Sequence, residues 1–138
     1  MKLKPFLTTL ALAGGLATTA SATTYTCKMQ DQSNSGWISP TIVVAHDEQS
    51  GEVVVNDILI KNINGRPLAG EVAIDNAKRT TFKWVIKGYT NTHGANRQYA
   101  TELTYRITIQ KSSRQATITM KPAGYGNMFR GKGACSVK

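Results

Sequence analysis

The chain contains two cysteines, Cys27 and Cys135. A thiol can act as a nucleophile, as a metal ligand or as half of a disulfide, and its compartment largely decides which. An export signature precedes Cys27, so the two are expected to pair in one intramolecular disulfide. That bond consumes both thiols and removes cysteine catalysis and thiolate metal sites from the possible chemistry.

The remaining reactive side chains form no catalytic pattern. His46 and Glu48, in His46-Asp47-Glu48, can share one strand face, with Asp57 reachable across a hairpin. Imidazole and carboxylates are acceptable metal ligands, but the same residues equally make a solvated turn, and no metal site is assigned. His93, in Asn91-Thr92-His93-Gly94-Ala95-Asn96, is expected on a loop, exposed or hydrogen-bonding at a mouth. No G-x-S-x-G elbow frames a serine nucleophile, and no carboxylate pair stands out for glycoside hydrolysis. No catalytic residue and no cofactor is therefore assigned. The chain leans away from enzymes, with a small hydrolase kept as a remote alternative.

Three features set the frame. Residues 1–22 form a signal peptide: Lys2 and Lys4, an apolar stretch from Phe6 to Ala20 diluted by threonine and glycine, and the cleavage site Ala20-Ser21-Ala22. A membrane anchor would need ~20 predominantly apolar residues, and this run is shorter. Residues 23–138 then form one domain, with no later segment apolar enough to span a membrane as a helix, and with no N-x-S/T sequon.

The elements that would position any site are strands. Leu103 to Gln110 alternates strictly between apolar and polar residues, and Ala116, Ile118 and Met120 share a face after the turn Lys111–Arg114. Folding about that turn sets Ile109 opposite Ala116, Ile107 opposite Ile118, and Tyr105 opposite Met120. Phe82, Trp84 and Ile86 give another inward face. Thr41–Asp47 and Glu52–Lys61 are β-branched runs without clean alternation, explicable by a bulge near Asn56-Asp57. With Ala69–Asp75, Tyr25–Met29 and Phe129–Val137 they make about eight strands. No amphipathic helix of useful length is evident. The expected fold is all-β: a small antiparallel barrel in meander order, similar to the calycins in that order, closed by the disulfide. A two-sheet sandwich is the alternative. Gly131 and Gly133 fit a barrel corner, room for Trp84, or a cavity beside Tyr125.

Connection lengths suggest which end is functional. Glu48–Gly51, Asn76–Arg79 and Lys111–Arg114 are tight turns. Asp31–Pro40, Asn62–Leu68 and Gly88–Gln98 are longer and fall at the other end of a meander. That end would gather Trp37, Arg66, Tyr89, Asn91, His93, Asn96, Arg97 and Tyr125, of which all but Asn96 are the expected ligand-binding residues.

Charge gives a second surface. The segment Thr23–Ala77 holds three basic and seven acidic residues, whereas Lys78–Lys138 holds twelve basic and one acidic. In a meander these halves become two sides, so Lys83, Lys87, Arg106, Lys121, Arg130 and Lys132 are expected on one basic face. Such a face suits lipopolysaccharide, phospholipid headgroups or acidic polysaccharide, and equally keeps an exported protein soluble. Nucleic acid is disfavoured, because the outward residues of these strands (Thr81, Lys83, Arg106, Thr108, Thr119, Lys121) include no aromatic ring.

Two short stretches resemble known families. Ser35-Gly36-Trp37 is similar to the lipocalin G-x-W signature at a different spacing. Thr24-Tyr25-Thr26-Cys27 with a C-terminal cysteine resembles the periplasmic inhibitors of C-type lysozyme, whose S-G-x-x-Y stretch has no counterpart here and whose basic target suits a basic chain poorly. Neither carries over a functional residue. The expectation is an exported, monomeric, non-catalytic binder in a bacterial periplasm or outside the cell. Its partner would be a small molecule or lipid at the long-loop mouth, or else an anionic envelope component or a protein partner, in inhibitor fashion, on the basic face.

Overall fold

The computed structural model describes residues 22–91 and 98–138; the expected signal peptide up to residue 21, and residues 92–97, lie outside the described residues. The elements follow in the order β1 (Thr23–Asp31), β2 (Thr41–His46), β3 (Val53–Asp57), α1 (Ile58–Asn64), β4 (Leu68–Asp75), β5 (Arg79–Asn91), β6 (Gln98–Gln110), β7 (Gln115–Pro122) and β8 (Phe129–Val137). Each strand pairs antiparallel with the next, and β8 returns to β1, closing a meander barrel of eight strands. Closure leaves no edge along the wall and excludes the two-sheet sandwich.

The register follows from period-two patterning. Ile109 faces Ala116, Ile107 faces Ile118, and Tyr105 faces Met120, as the alternation requires. These residues are buried, with Ile42, Val44, Val53, Val55, Phe82, Trp84 and Ile86 on neighbouring strands. The runs around β2 and β3 do alternate; their outward positions are also apolar (Val43, Ala45, Val54), which hid the pattern. A stacked ring pair, Trp84 on Tyr105 at 5.3 Å, fills the interior, so the barrel has a packed core rather than a deep calyx.

Cys27 and Cys135 lie directly opposite one another on β1 and β8 and are joined by a disulfide. The same two strands come unusually close at Gly133, where a Cβ would run into the Lys28 carbonyl. At Gly131 a Cβ would meet the Gln30 carbonyl at 2.9 Å and the Ile38 and Ile118 side chains. These glycines thus serve strand approach and core filling.

Three expectations are corrected. Glu52–Lys61 is not one strand with a bulge: β3 ends at Asp57, whose carboxylate accepts a hydrogen bond from the Ile60 N–H at 2.7 Å and caps α1. Gly65, at φ 78, ends the helix and donates to the Lys61 carbonyl. The irregularity lies instead in β4, between Val72 and Ile74. Gly88–Gln98 is not a connection throughout, because β5 runs to Asn91 and β6 starts at Gln98; residues 92–97 between them lie outside the described residues. Finally, Thr81 is buried, not outward-facing in solvent, and its hydroxyl shares a 2.8 Å hydrogen bond with that of Thr108.

Candidate functional site

The tight turns Glu48–Gly51, Asn76–Arg79 and Lys111–Arg114 close one end of the barrel, with the paired backbones of Thr24 and Lys138. The other end carries the segment 32–40, helix α1, the outer part of the β5–β6 hairpin, and the segment 123–128. Residues Lys87 to Asn91 and Gln98 to Glu102 pair with each other beyond the ends of the β4–β5 and β6–β7 ladders, at Lys83 and Leu103, so this hairpin projects past the rim.

A single carboxylate shapes the first rim segment. Asp31 accepts hydrogen bonds from the backbone N–H groups of Ser33, Ser35 and Gly36 and from the Ser35 hydroxyl, each at 2.9 Å. Burial alone would raise the Asp31 pKa, but these donors outweigh it and hold the carboxyl below its usual value. The turn they organise delivers Ile38 into the core and Trp37 onto the rim. The Tyr105 hydroxyl fixes Trp37 from below by donating to its carbonyl at 3.0 Å. The Trp37 ring rests against Phe129 with centroids 6.2 Å apart.

The segment 123–128 is fixed to the hairpin. Ala123 N–H donates to the Glu102 carbonyl at 2.9 Å, and the Tyr125 hydroxyl donates to the Tyr99 carbonyl at 3.1 Å. Between these rim pieces lies a cleft of about 210 Å³. Trp37, Tyr99, Leu103, Met120, Tyr125 and Phe129 form its apolar walls, with Ala100, Pro122 and Asn127 completing it. Among the described residues its lining offers rings, aliphatic surface and one side-chain amide, and no carboxylate, imidazole or cation. Such a surface can bury a small apolar group and offer it one amide hydrogen bond.

Of the expected site residues, Trp37 and Tyr125 line this cleft. Arg66 lies in the α1–β4 connection, where its carbonyl accepts from the Asn64 amide, and it is not part of the lining. Tyr89 and Asn91 belong to β5, paired with Ala100 and Gln98, and their side chains are not described. His93, Asn96 and Arg97 lie outside the described residues. Sequence reasoning missed Tyr99, Leu103, Met120 and Phe129. The signal for Leu103 and Met120 was their inward parity at the mouth end of β6 and β7.

The His46 grouping does not form. His46 is buried against Phe82 with ring centroids 5.5 Å apart, and it pairs with Val53, while Asp57 faces Ile42 at the other end of β3. Asp47 is committed to the N–H groups of Gln49 and Ser50. Among the described residues, no three His, Cys, Asp or Glu side chains converge.

The six expected basic residues all lie on β5–β8. Register puts Lys83, Arg106, Thr119 and Arg130 in one row across four strands, with Lys121 beside Thr104 and Lys132 beside Thr117. Lys83 pairs with Glu71 at 3.4 Å. Among the described residues Arg106, Lys121, Arg130 and Lys132 make no ion pair. Comparison of the chain with family models, with curated proteins and with solved structures finds no match.

Proposed function

We propose that this is an exported, non-catalytic binding protein that takes a small apolar or aromatic ligand in the mouth cleft. The observation that supports this reading is a rim cleft walled by four aromatic rings, a leucine and a methionine, with no charged group among the described residues that line it. Its volume of about 210 Å³ sets the ligand size. An engineered apolar cavity of roughly 150 Å³ holds benzene, so the fit here is a bicyclic ring or a short length of acyl chain. The core beneath is packed, so the ligand lies across the rim and does not enter the barrel.

Export rests on the signal peptide at residues 1–22 and is compatible with the disulfide. Intact-mass analysis of the exported form should give a chain beginning at Thr23. Retention of Met1 to Ala22 after export removes that part of the reading.

Fluorescence titration with N-phenyl-1-naphthylamine, a neutral aromatic probe, tests the site. Saturable binding is expected, weakened about tenfold or more by Trp37→Ala, since an aromatic anchor of this kind contributes about 1–2 kcal/mol. Tyr99→Ala, at a residue more than half exposed and therefore harmless to folding, should weaken it in the same direction. Binding that neither substitution affects would place the probe elsewhere and remove the cleft from the account.

A further inference from the structure

The segment 123–128 has two sides. One lines the mouth cleft. The other bends over the outer wall and, with β6 and β7, forms a second depression of about 550 Å³. Four outward side chains make its floor: Thr104 directly opposite Lys121, and Arg106 directly opposite Thr119. Two cations thus sit diagonally across a square with two hydroxyls, next to the backbone of Gly124 and Gly126. No ion pair among the described residues occupies either cation, and Arg130 continues the row on β8.

The apolar residues around this wall are equally unusual. Four large hydrophobic residues are strongly exposed among those described, and three of them, Tyr99, Tyr125 and Met128, cluster at this corner of the rim, each between 43% and 56% exposed. The order along the molecular surface is therefore layered. Rings and a thioether lie at the tip, and cations with hydroxyls lie on the wall just behind. A bilayer surface has the same layers, with acyl chains and the glycerol region inside and phosphates outside. A soluble polyanion would match the cations and leave the exposed Met128 and tyrosines unexplained.

We propose that the protein docks on an anionic phospholipid bilayer through this corner. Tyr99, Tyr125 and Met128 enter the headgroup boundary, and Arg106 and Lys121 hold a lipid phosphate in the outer groove. Arg130 and Lys132 add attraction from the same side. The mouth cleft then opens at the membrane surface; Tyr99 and Tyr125 serve both surfaces, but Arg106, Lys121 and Met128 line only the outer groove, so docking is tested apart from the cleft through them.

Co-sedimentation of the exported protein with unilamellar vesicles tests this. Vesicles of phosphatidylcholine with phosphatidylglycerol should bring the protein down, and phosphatidylcholine alone should not. Raising the salt should release it, because screening shortens the reach of surface charge. The double variant Arg106→Glu/Lys121→Glu should lose on the order of tenfold or more in apparent affinity. Lys61→Glu/Lys78→Glu changes net charge equally, away from the groove, and should lose much less. Met128→Ser should weaken vesicle binding at unchanged net charge. Circular dichroism melts confirm that each variant is folded. Equal binding to neutral vesicles, or equal losses in the two charge-reversal variants, would overturn the proposal. So would dextran sulfate binding that needs Arg106 and Lys121 while anionic vesicles sediment nothing, which would identify a soluble acidic polysaccharide as the partner.

Discussion

At the residue scale, Asp57 has two conflicting requirements. It sits at an inward position of β3, where every other buried side chain is apolar, and it is there because its carboxylate caps α1. Burial pushes its pKa up, against the hydrogen bond from the Ile60 N–H and the nearby Ser39 hydroxyl, which is buried but short of good hydrogen-bond geometry. The fold thus favours the protonated acid, and ionisation costs stability as the pH rises through the raised value. Asp57→Asn keeps the capping oxygen and removes the charge. It should raise the melting temperature at neutral pH, and the gain should shrink as the pH falls through the carboxylate range and Asp57 loses its charge in both folded and unfolded chains. Three carboxylates nearer the surface have the opposite sign. At Asp31 burial pushes the pKa up but the hydrogen bonds outweigh it and leave it low, turn N–H groups lower Asp47, and the Lys111 ammonium lowers Asp75. Their stabilisation is present above the ordinary carboxylate value and fades as the pH falls through their lower values. Thermal melts of the wild type and Asp57→Asn across the acid range check both signs at once.

At the element scale, what the sequence revealed depended on whether one strand face stood in water. The β6–β7 hairpin was legible because threonine, arginine and lysine alternate with Tyr105, Ile107, Ile109, Ile118 and Met120 on a half-solvated wall. The helix after β3 was not, since Ile58, Leu59 and Ile60 resemble a strand and the only helical marks are Asp57 and Gly65 at its two ends. The length of β5 was obscured by Gly88, which takes φ 73 inside the strand and interrupts its pairing between Lys87 and Tyr89. The cleft itself was half legible. Trp37 and Tyr125 follow from loop length, but the walls supplied by Tyr99 and Phe129 depend on how the 123–128 segment ties to the hairpin. The contact between β1 and β8 gives the clearest mutational test. Gly133→Ala puts a methyl group into the Lys28 carbonyl on a strand also held by the disulfide. It should cost at least ~1–3 kcal/mol in urea unfolding, whereas Gly126→Ala, with open space around its Cβ position, should cost little.

At the scale of the whole molecule, meander order turns sequence halves into sides. The acidic first half forms β1–β4 and the basic second half forms β5–β8, so the barrel is electrically two-faced. Only a closed meander requires the first and last strands to meet, and the disulfide joins them across a sequence separation of 108 residues. Cross-linking so long a loop removes entropy from the unfolded chain in one model, and loss of a native disulfide costs about 2–5 kcal/mol in small domains. Cys27→Ala with Cys135→Ala should therefore lower stability by that order in chemical denaturation, with the barrel otherwise retained. The packed core under Trp37 confines any ligand to the rim, and this is the central claim. Amide chemical-shift mapping during titration with N-phenyl-1-naphthylamine tests it most directly. The account predicts saturable shifts concentrated at Trp37, Tyr99, Leu103, Tyr125 and Phe129, with the tight-turn end unmoved. Shifts centred on Glu48–Gly51 or Lys111–Arg114, or none up to the solubility of the probe, would contradict it.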